Sequence, residues 1–125
     1  MGKTDPKYEA LFTPWKVGNV EIKNRIVMCP MGGTSLFGWF ELGGCHFDKE
    51  AAKLFLERAN NNVGLIIPGI APLRDTFWGK WLWQNPKMFD ELKVYMDEIH
   101  KTGAKLFVQL TAGMGRSWAI TELVA

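Results

Sequence analysis

Cysteine is scarce in this 125-residue chain, with only Cys29 and Cys45. Two thiols make no disulfide framework, and neither has a second cysteine at metal-ligand spacing. Cys45-His46 reads as a chance neighbour pair rather than a ligand set, so no metal is expected. An excess of charge is missing too. Lys and Arg total 15 against 13 Asp and Glu, a net charge of +2, and no basic run occurs. That excludes an electrostatic footprint for nucleic acid. No apolar run approaches a membrane span, and Met1 to Pro6 lacks the apolar core of a secretory signal. Met1-Gly2 carries Pro6 where a myristoylation signal has Ser or Thr. The expectation is a cytoplasmic protein with reduced thiols and with neither a membrane nor a nucleic-acid partner. There is also no P-loop, no serine nucleophile elbow and no HExxH pair.

Apolar side chains are plentiful. Hydrophobic residues make up 47% and charged residues 22%, the balance of a globular domain with its own core. Six tryptophans and eight phenylalanines stand out, and their placement bears on function.

The polar residues 1–10 read as a lead-in or a short helical turn. Leu11-Phe12-Thr13-Pro14 reads as an apolar anchor. Trp15-Lys16-Val17 and Val20-Glu21-Ile22 alternate across Gly18-Asn19, a two-residue hairpin signal. A lone hairpin is marginal in water, so it should cap something larger. Ile26 to Met28 has the composition of a buried strand, stopped by Pro30 because proline cannot donate to a ladder. Gly32 and Gly33 follow in Pro30-Met31-Gly32-Gly33. Such an ending reads equally as a ligand-facing strand end or as an ordinary strand and turn.

Residues 34–47 form a Gly-rich aromatic loop holding Trp39 and Phe40. Asp48 is the N-cap of a helix running to about Asn60, with Ala51, Leu54, Phe55 and Ala59 inward and Lys49, Lys53 and Glu57 outward. Asn60-Asn61-Asn62 ends it. Val63 to Ile67 is a second buried strand, stopped by Pro68-Gly69. A loop from Ile70 to Asn85 carries Phe77, Trp78, Trp81 and Trp83. Asn85-Pro86 starts a second helix as N-cap and first residue, with Phe89, Leu92, Met96 and Ile99 at helical spacing and Gly103 past its end. Lys105 to Leu110 is a third strand, followed by Thr111 to Arg116.

The order is hairpin, strand, helix, strand, helix, strand. Alternation of this kind implies a parallel sheet with right-handed crossovers. A doubly wound sheet and a (β/α)8 barrel both fit three such units. Three strands leave an open edge, which calls for more strands, an oligomer or a complementing chain. Gly113-Met114-Gly115 begins a dinucleotide fingerprint, but Trp118 stands where its third glycine belongs. Gln109 sits near the end of an apolar strand. Its carboxamide offers a donor and an acceptor, which suits a planar ring edge showing both, such as the pyrimidine side of a flavin. A polar strand face explains it equally.

Leu11-Phe12-x-Pro14, Val17-Gly18 and Lys23-Asn24-Arg25-Ile26-Val27-Met28-x-Pro30-Met31 resemble the opening of the old yellow enzyme family. Gly64 to Ile67, and Gly103-Ala104-Lys105 through Gln109-Leu110 to Gly115-Arg116, fall where that family has its second and third barrel strands. The resemblance runs from Leu11 to Arg116. Within the family, Thr111-Ala112-Gly113-x-Gly115-Arg116 is similar to the enoate-reductase and bile-acid or steroid reductase branch, although many relatives carry a histidine here and this chain has none.

The resemblance implies an α/β chain forming the N-terminal part of a (β/α)8 TIM barrel, a capping hairpin plus about three βα units. Residues 1–10 would be the lead-in and 11–125 a truncated portion of that FMN-binding barrel. It implies FMN as cofactor, lined by Cys29, Pro30, Met31 and Gly32, flanked by Gly69 and Ile70, and paired at its pyrimidine edge with Gln109. Arg116 falls on the family motif's arginine. The implied activity is reduction of an activated C=C bond in an apolar enone or enoate. An iron–sulfur cluster, FAD and NAD(P)H would belong only to a longer parent. The donors and the acid that complete the reaction come from later strands in the family, so no catalytic residue is named. Trp39, Trp78 and Trp81 would line a substrate pocket; equally, these rings pack on one another or on the remainder of the protein. The alternative function is a non-catalytic remnant or partner subunit that needs another chain to complete the barrel.

Overall fold

The structure is a computed structural model that describes residues 5–31, 35–38, 45–72 and 84–111. A 3-10 helix, Pro6–Phe12, opens the chain, and Asp5 accepts from the Lys7 amide at its start. Leu11 and Phe12 are exposed, so this segment is not the apolar anchor that its composition suggests. Polar contacts fasten it instead: the Arg25 amide donates to the Leu11 carbonyl at 2.8 Å, and Arg25 Nε donates to Thr13 Oγ1 at 2.9 Å.

Strands β1 (Trp15–Val17) and β2 (Val20–Ile22) form the expected antiparallel hairpin, with Lys16 opposite Glu21. Gly18 takes a φ of +55°, the left-handed geometry that the turn requires. The hairpin is fixed to the next strand by Trp15 Nε1, which donates to the Asn24 carbonyl at 2.7 Å. Ile22 is fully buried beneath it.

Strands β3 (Val27–Met28), β4 (Leu65–Ile66) and β6 (Lys105–Leu106) make one parallel sheet in that spatial order, with Val27, Leu65 and Lys105 in register. Leu65 and Ile66 are buried, as a central strand demands, whereas Val27 on the outer strand is exposed. A further parallel pair, β5 (Ile70–Pro72) with β7 (Gln109–Thr111), follows in sequence as a separate two-stranded sheet, its register shifted by one residue from that of β4 and β6. It was not expected from the sequence. The third strand is accordingly broken in two at Phe107-Val108, and β5 takes the first residues of what reads as loop.

Helix α1 (Lys49–Asn60) starts as its sequence dictates. Asp48 Oδ1 accepts from the Glu50 and Ala51 amides, both at 2.9 Å. Ala51, Ala52, Phe55 and Ala59 are its buried face, and Leu54 is half-buried. Asn62, with a φ of +73°, turns the chain into β4. Helix α2 (Pro86–Lys101) buries Met88, Tyr95 and Ile99. Of the expected stripe, Ile99 is buried and Leu92 and Met96 pack partly buried against the core, whereas Phe89 is exposed and Met88 takes its place inside. Gly103, at a φ of +78°, follows as the turn residue. Phe55, Ile66, Met88, Tyr95, Ile99 and Ala104 share one core between helices and sheet. Among the described residues no helix is long and apolar enough to cross a membrane.

Candidate functional site

The carboxyl ends of the parallel strands converge. Strand β3 stops first, and the Ile67 amide donates to the Met28 carbonyl at 3.0 Å, setting Cys29 beside the end of β4. Proline removes the donor that would carry β4 further, and Pro68 is buried at that point. Gly69 then adopts a φ of +82°, and its amide donates to the Ile67 carbonyl at 2.9 Å. This tight turn redirects the chain into β5. Ile70 consequently lies directly opposite Gln109 in the β5–β7 ladder.

Of the residues expected to hold a flavin, Gly69, Ile70 and Gln109 are therefore brought together on adjacent strands. Cys29, Pro30 and Met31 follow the neighbouring strand. Cys29 is an exposed free thiol, Met31 is 58% exposed, and Gln109 is exposed. Gly32, Trp39, Trp78, Trp81 and Arg116 lie outside the described residues, as do Phe40, Phe77 and Trp83.

Strand ends 29–31, 67–72 and 107–111 carry no charged side chain. Gln109 is the one carboxamide among them. This surface suits a neutral planar ring whose edge asks for both a donor and an acceptor. The groups with displaced pKa values lie elsewhere. Lys23, at the opposite end of the sheet, donates from Nζ to the Thr102 carbonyl at 2.8 Å, and desolvation lowers its pKa. Tyr95, in the helix layer, has its phenol raised by burial and then by the charge of Glu98.

Two polar side chains at this end were not anticipated in these roles. Ser35, 2% exposed, donates from Oγ to the Ile70 carbonyl at 3.1 Å and accepts from the Phe37 amide at 3.1 Å. A serine in a Gly-rich stretch carries no sequence signal for such a contact. Asn85 sits at the expected N-cap position of α2 but makes no side-chain cap bond. Its Nδ2 donates to the Cys45 carbonyl at 2.9 Å.

The family model for the NADH:flavin oxidoreductase / NADH oxidase family matches residues 10–122. A cinnamate reductase from Clostridium sporogenes is 36% identical over 117 residues, covering 88% of this chain and 17% of that protein. An NADPH dehydrogenase from Bacillus velezensis is 34% identical over 106 residues, covering 80% of this chain and 29% of that protein. Among solved structures, the old yellow enzyme from a Pichia species superposes with a TM-score of 0.63 at 26% identity, covering 81% of this chain and 26% of that one. The chain thus spans between about a sixth and a third of the length of these proteins. The likeness decides between the two sheet architectures: the strands are the first strands of a (β/α)8 barrel, not of a doubly wound sheet. Among the described residues the barrel is not closed.

Proposed function

The chain belongs to the NADH:flavin oxidoreductase / NADH oxidase family, and from that premise we propose that it supplies part of the FMN site of an ene-reductase acting on an apolar enone or enoate. The observation that carries this reading is the register of Ile70 against Gln109, just past the positive-φ Gly69.

The residues present fit a flavin. Gly69 has no Cβ to hold a ring away, Ile70 and Met31 offer apolar surface, and the Gln109 carboxamide supplies the donor–acceptor pair for a pyrimidine edge. When bound and reduced, FMN supplies a hydride to the β-carbon of an activated C=C bond, with a proton reaching the α-carbon. The work of this chain's own residues is to bind and to orient. Gln109 fixes the ring's polar edge, Cys29 to Met31 pack beside it, and the uncharged strand ends keep the surroundings apolar. Likeness to a cinnamate reductase supports an aryl-bearing enoate as the substrate class.

The test is anaerobic. The FMN-loaded protein carrying this chain is reduced, and cinnamate is added. Reoxidation of the flavin with formation of the saturated acid is the expected result. Reduced flavin that is stable to cinnamate and to simple cyclic enones sinks the reading.

One observation favours a second reading. Val27, Val108 and Leu110 are apolar yet exposed, the last by 56%. A complementing chain that covers them would make this segment a structural partner rather than a cofactor-binding one. That reading predicts a complex in which substitution of Gln109 leaves FMN affinity unchanged.

A further inference from the structure

The turn that ends β4 pivots on Gly69, whose φ of +82° suits glycine and strains other residues. Two hydrogen bonds from one buried segment bracket that pivot. The Leu36 amide donates to the Pro68 carbonyl at 2.9 Å, one residue before Gly69. Ser35 Oγ donates to the Ile70 carbonyl at 3.1 Å, one residue after it. The bracketing segment is itself fixed in the core, since Leu36 is fully buried and Phe37 is 2% exposed. Ile70 in turn lies opposite Gln109 in the β5–β7 pair.

We infer that Ser35 is a positioning residue for the flavin: by holding the Ile70 carbonyl it fixes the Gly69 pivot and the register of Ile70 with Gln109, and it acts on FMN affinity through them. The Ser35 hydroxyl is committed to this contact. The Phe37 amide donates into it at 3.1 Å, which leaves its one proton for Ile70. Ser35 is 2% exposed, so water offers the Ile70 carbonyl no ready substitute at that position. The Leu36 tie runs from main chain to main chain, and a side-chain substitution at Ser35 leaves it in place. Loss of the Ser35 tie alone therefore opens one end of the bracket. Ile70 is then joined to the held part of the turn only through a glycine, the residue with the widest conformational freedom. Strand β5 is three residues long, and β7 is its one strand partner among the described residues. Few other bonds keep Ile70 in register with Gln109.

This inference rests on the flavin reading, and the test separates the two. Ser35→Ala removes the hydroxyl, and Ser35→Thr restores one. Both are compared with Gln109→Leu and with the Ser35→Ala, Gln109→Leu double variant in the protein that carries this chain. FMN dissociation is measured by flavin fluorescence at a temperature where every variant is folded. Hydrogen exchange of the FMN-loaded protein is followed on peptides covering 68–72 and 107–111. The second peptide is the discriminating one, because Ser35 reaches it only by way of Ile70.

Ser35→Ala should bind FMN about threefold to tenfold more weakly, the range of one lost hydrogen bond, and should exchange faster in both peptides. Ser35→Thr should lie nearer to the parent on both measures. Because Ser35 acts through the strand pair that holds Gln109, the double variant should lose less than the product of the two single losses. Losses that multiply, faster exchange confined to 68–72, or a threonine variant no better than the alanine one each overturn the inference. A parent that holds FMN and loses it in Gln109→Leu but not in Ser35→Ala overturns this inference alone. A parent that holds no FMN overturns the flavin reading together with it.

Discussion

Asn24 and Gly64 are fitted so closely that no Cβ can be placed on Gly64 without meeting the Asn24 carboxamide oxygen. Asn24 cannot give way. It is 2% exposed, its Nδ2 donates to the Asn62 carbonyl at 2.7 Å, and its Oδ1 accepts from the Ile26 amide at 3.1 Å. The pair joins the start of β3 to the turn that feeds β4. The Lys23-Asn24-Arg25 motif thus does its work at the amino end of the sheet, away from the candidate flavin surface. Gly64→Ala should lower stability by about 1–3 kcal/mol, as overpacking does elsewhere. Urea unfolding of the two single variants and the double variant checks the cause. In an Asn24→Ala background the same substitution should cost less, and equal costs in both backgrounds would remove Asn24 from the explanation.

Asp48 gives a second stability prediction. Its one carboxylate oxygen accepts two of the orphan amides at the start of α1. Asp48→Ala should cost about 1 kcal/mol, and Asp48→Asn a smaller fraction of that. A matched loss for both would mean that charge near the helix end, rather than the cap bonds, is what matters. Chemical denaturation at low and high salt separates the two.

Local features of this kind were legible in the sequence because they need only neighbouring residues. The Gly18-Asn19 hairpin, the Asp48 start and the Asn62 turn all stand where the residue types place them. Features that depend on distant pairing were not legible. Ile70-Ala71-Pro72 reads as loop, since Pro72 lacks a donor; it is a strand only because Gln109–Thr111 runs beside it. Phe89 fitted the helical period as well as Met88 did, and only the position of the sheet decides which one is buried. Tyr95, which is not among the apolar positions read from the sequence, is 6% exposed, because its hydroxyl finds a carbonyl inside the core. At the site, Gln109 could be singled out by its chemistry. Ser35 and Asn85 could not, because their partners lie 35 and 40 residues away in sequence.

That buried phenol makes stability depend on alkaline pH. Tyr95 donates to the Ala52 carbonyl at 3.0 Å, and burial, followed by the Glu98 carboxylate, raises its pKa above the ordinary 10.0. In the unfolded chain the phenol loses its proton near pH 10; in the folded chain it keeps it to higher pH. The folded state then binds more protons, so stability falls as pH rises above 10. The contribution is complete below pH 10 and is lost progressively above it. Tyr95→Phe should flatten this alkaline slope, at a cost near neutrality of about 1 kcal/mol for the lost hydrogen bond. Melting temperatures of both proteins at neutral and alkaline pH give the comparison. Parallel slopes would assign the alkaline loss to other groups.

Gln109 separates a cofactor contact from a decorative strand residue. It is exposed, so its replacement should leave thermal stability within about 0.5 kcal/mol of the parent. Under the flavin reading its carboxamide both donates and accepts, and Gln109→Leu removes both bonds. Two hydrogen bonds at about 1 kcal/mol each correspond to FMN binding that is weaker by at least about tenfold. Gln109→Glu keeps the size and the acceptor but no longer donates at neutral pH, and it sets a negative charge beside any acceptor on the ring. It should therefore bind FMN no better than the leucine variant despite its closer shape. Fluorescence titration of FMN against the three proteins measures this directly. If the glutamate variant binds as the parent does, Gln109 makes no donor contact with the ring. If all three bind alike, its place opposite Ile70 belongs to the sheet alone, and the cofactor surface must be sought on the neighbouring strand ends.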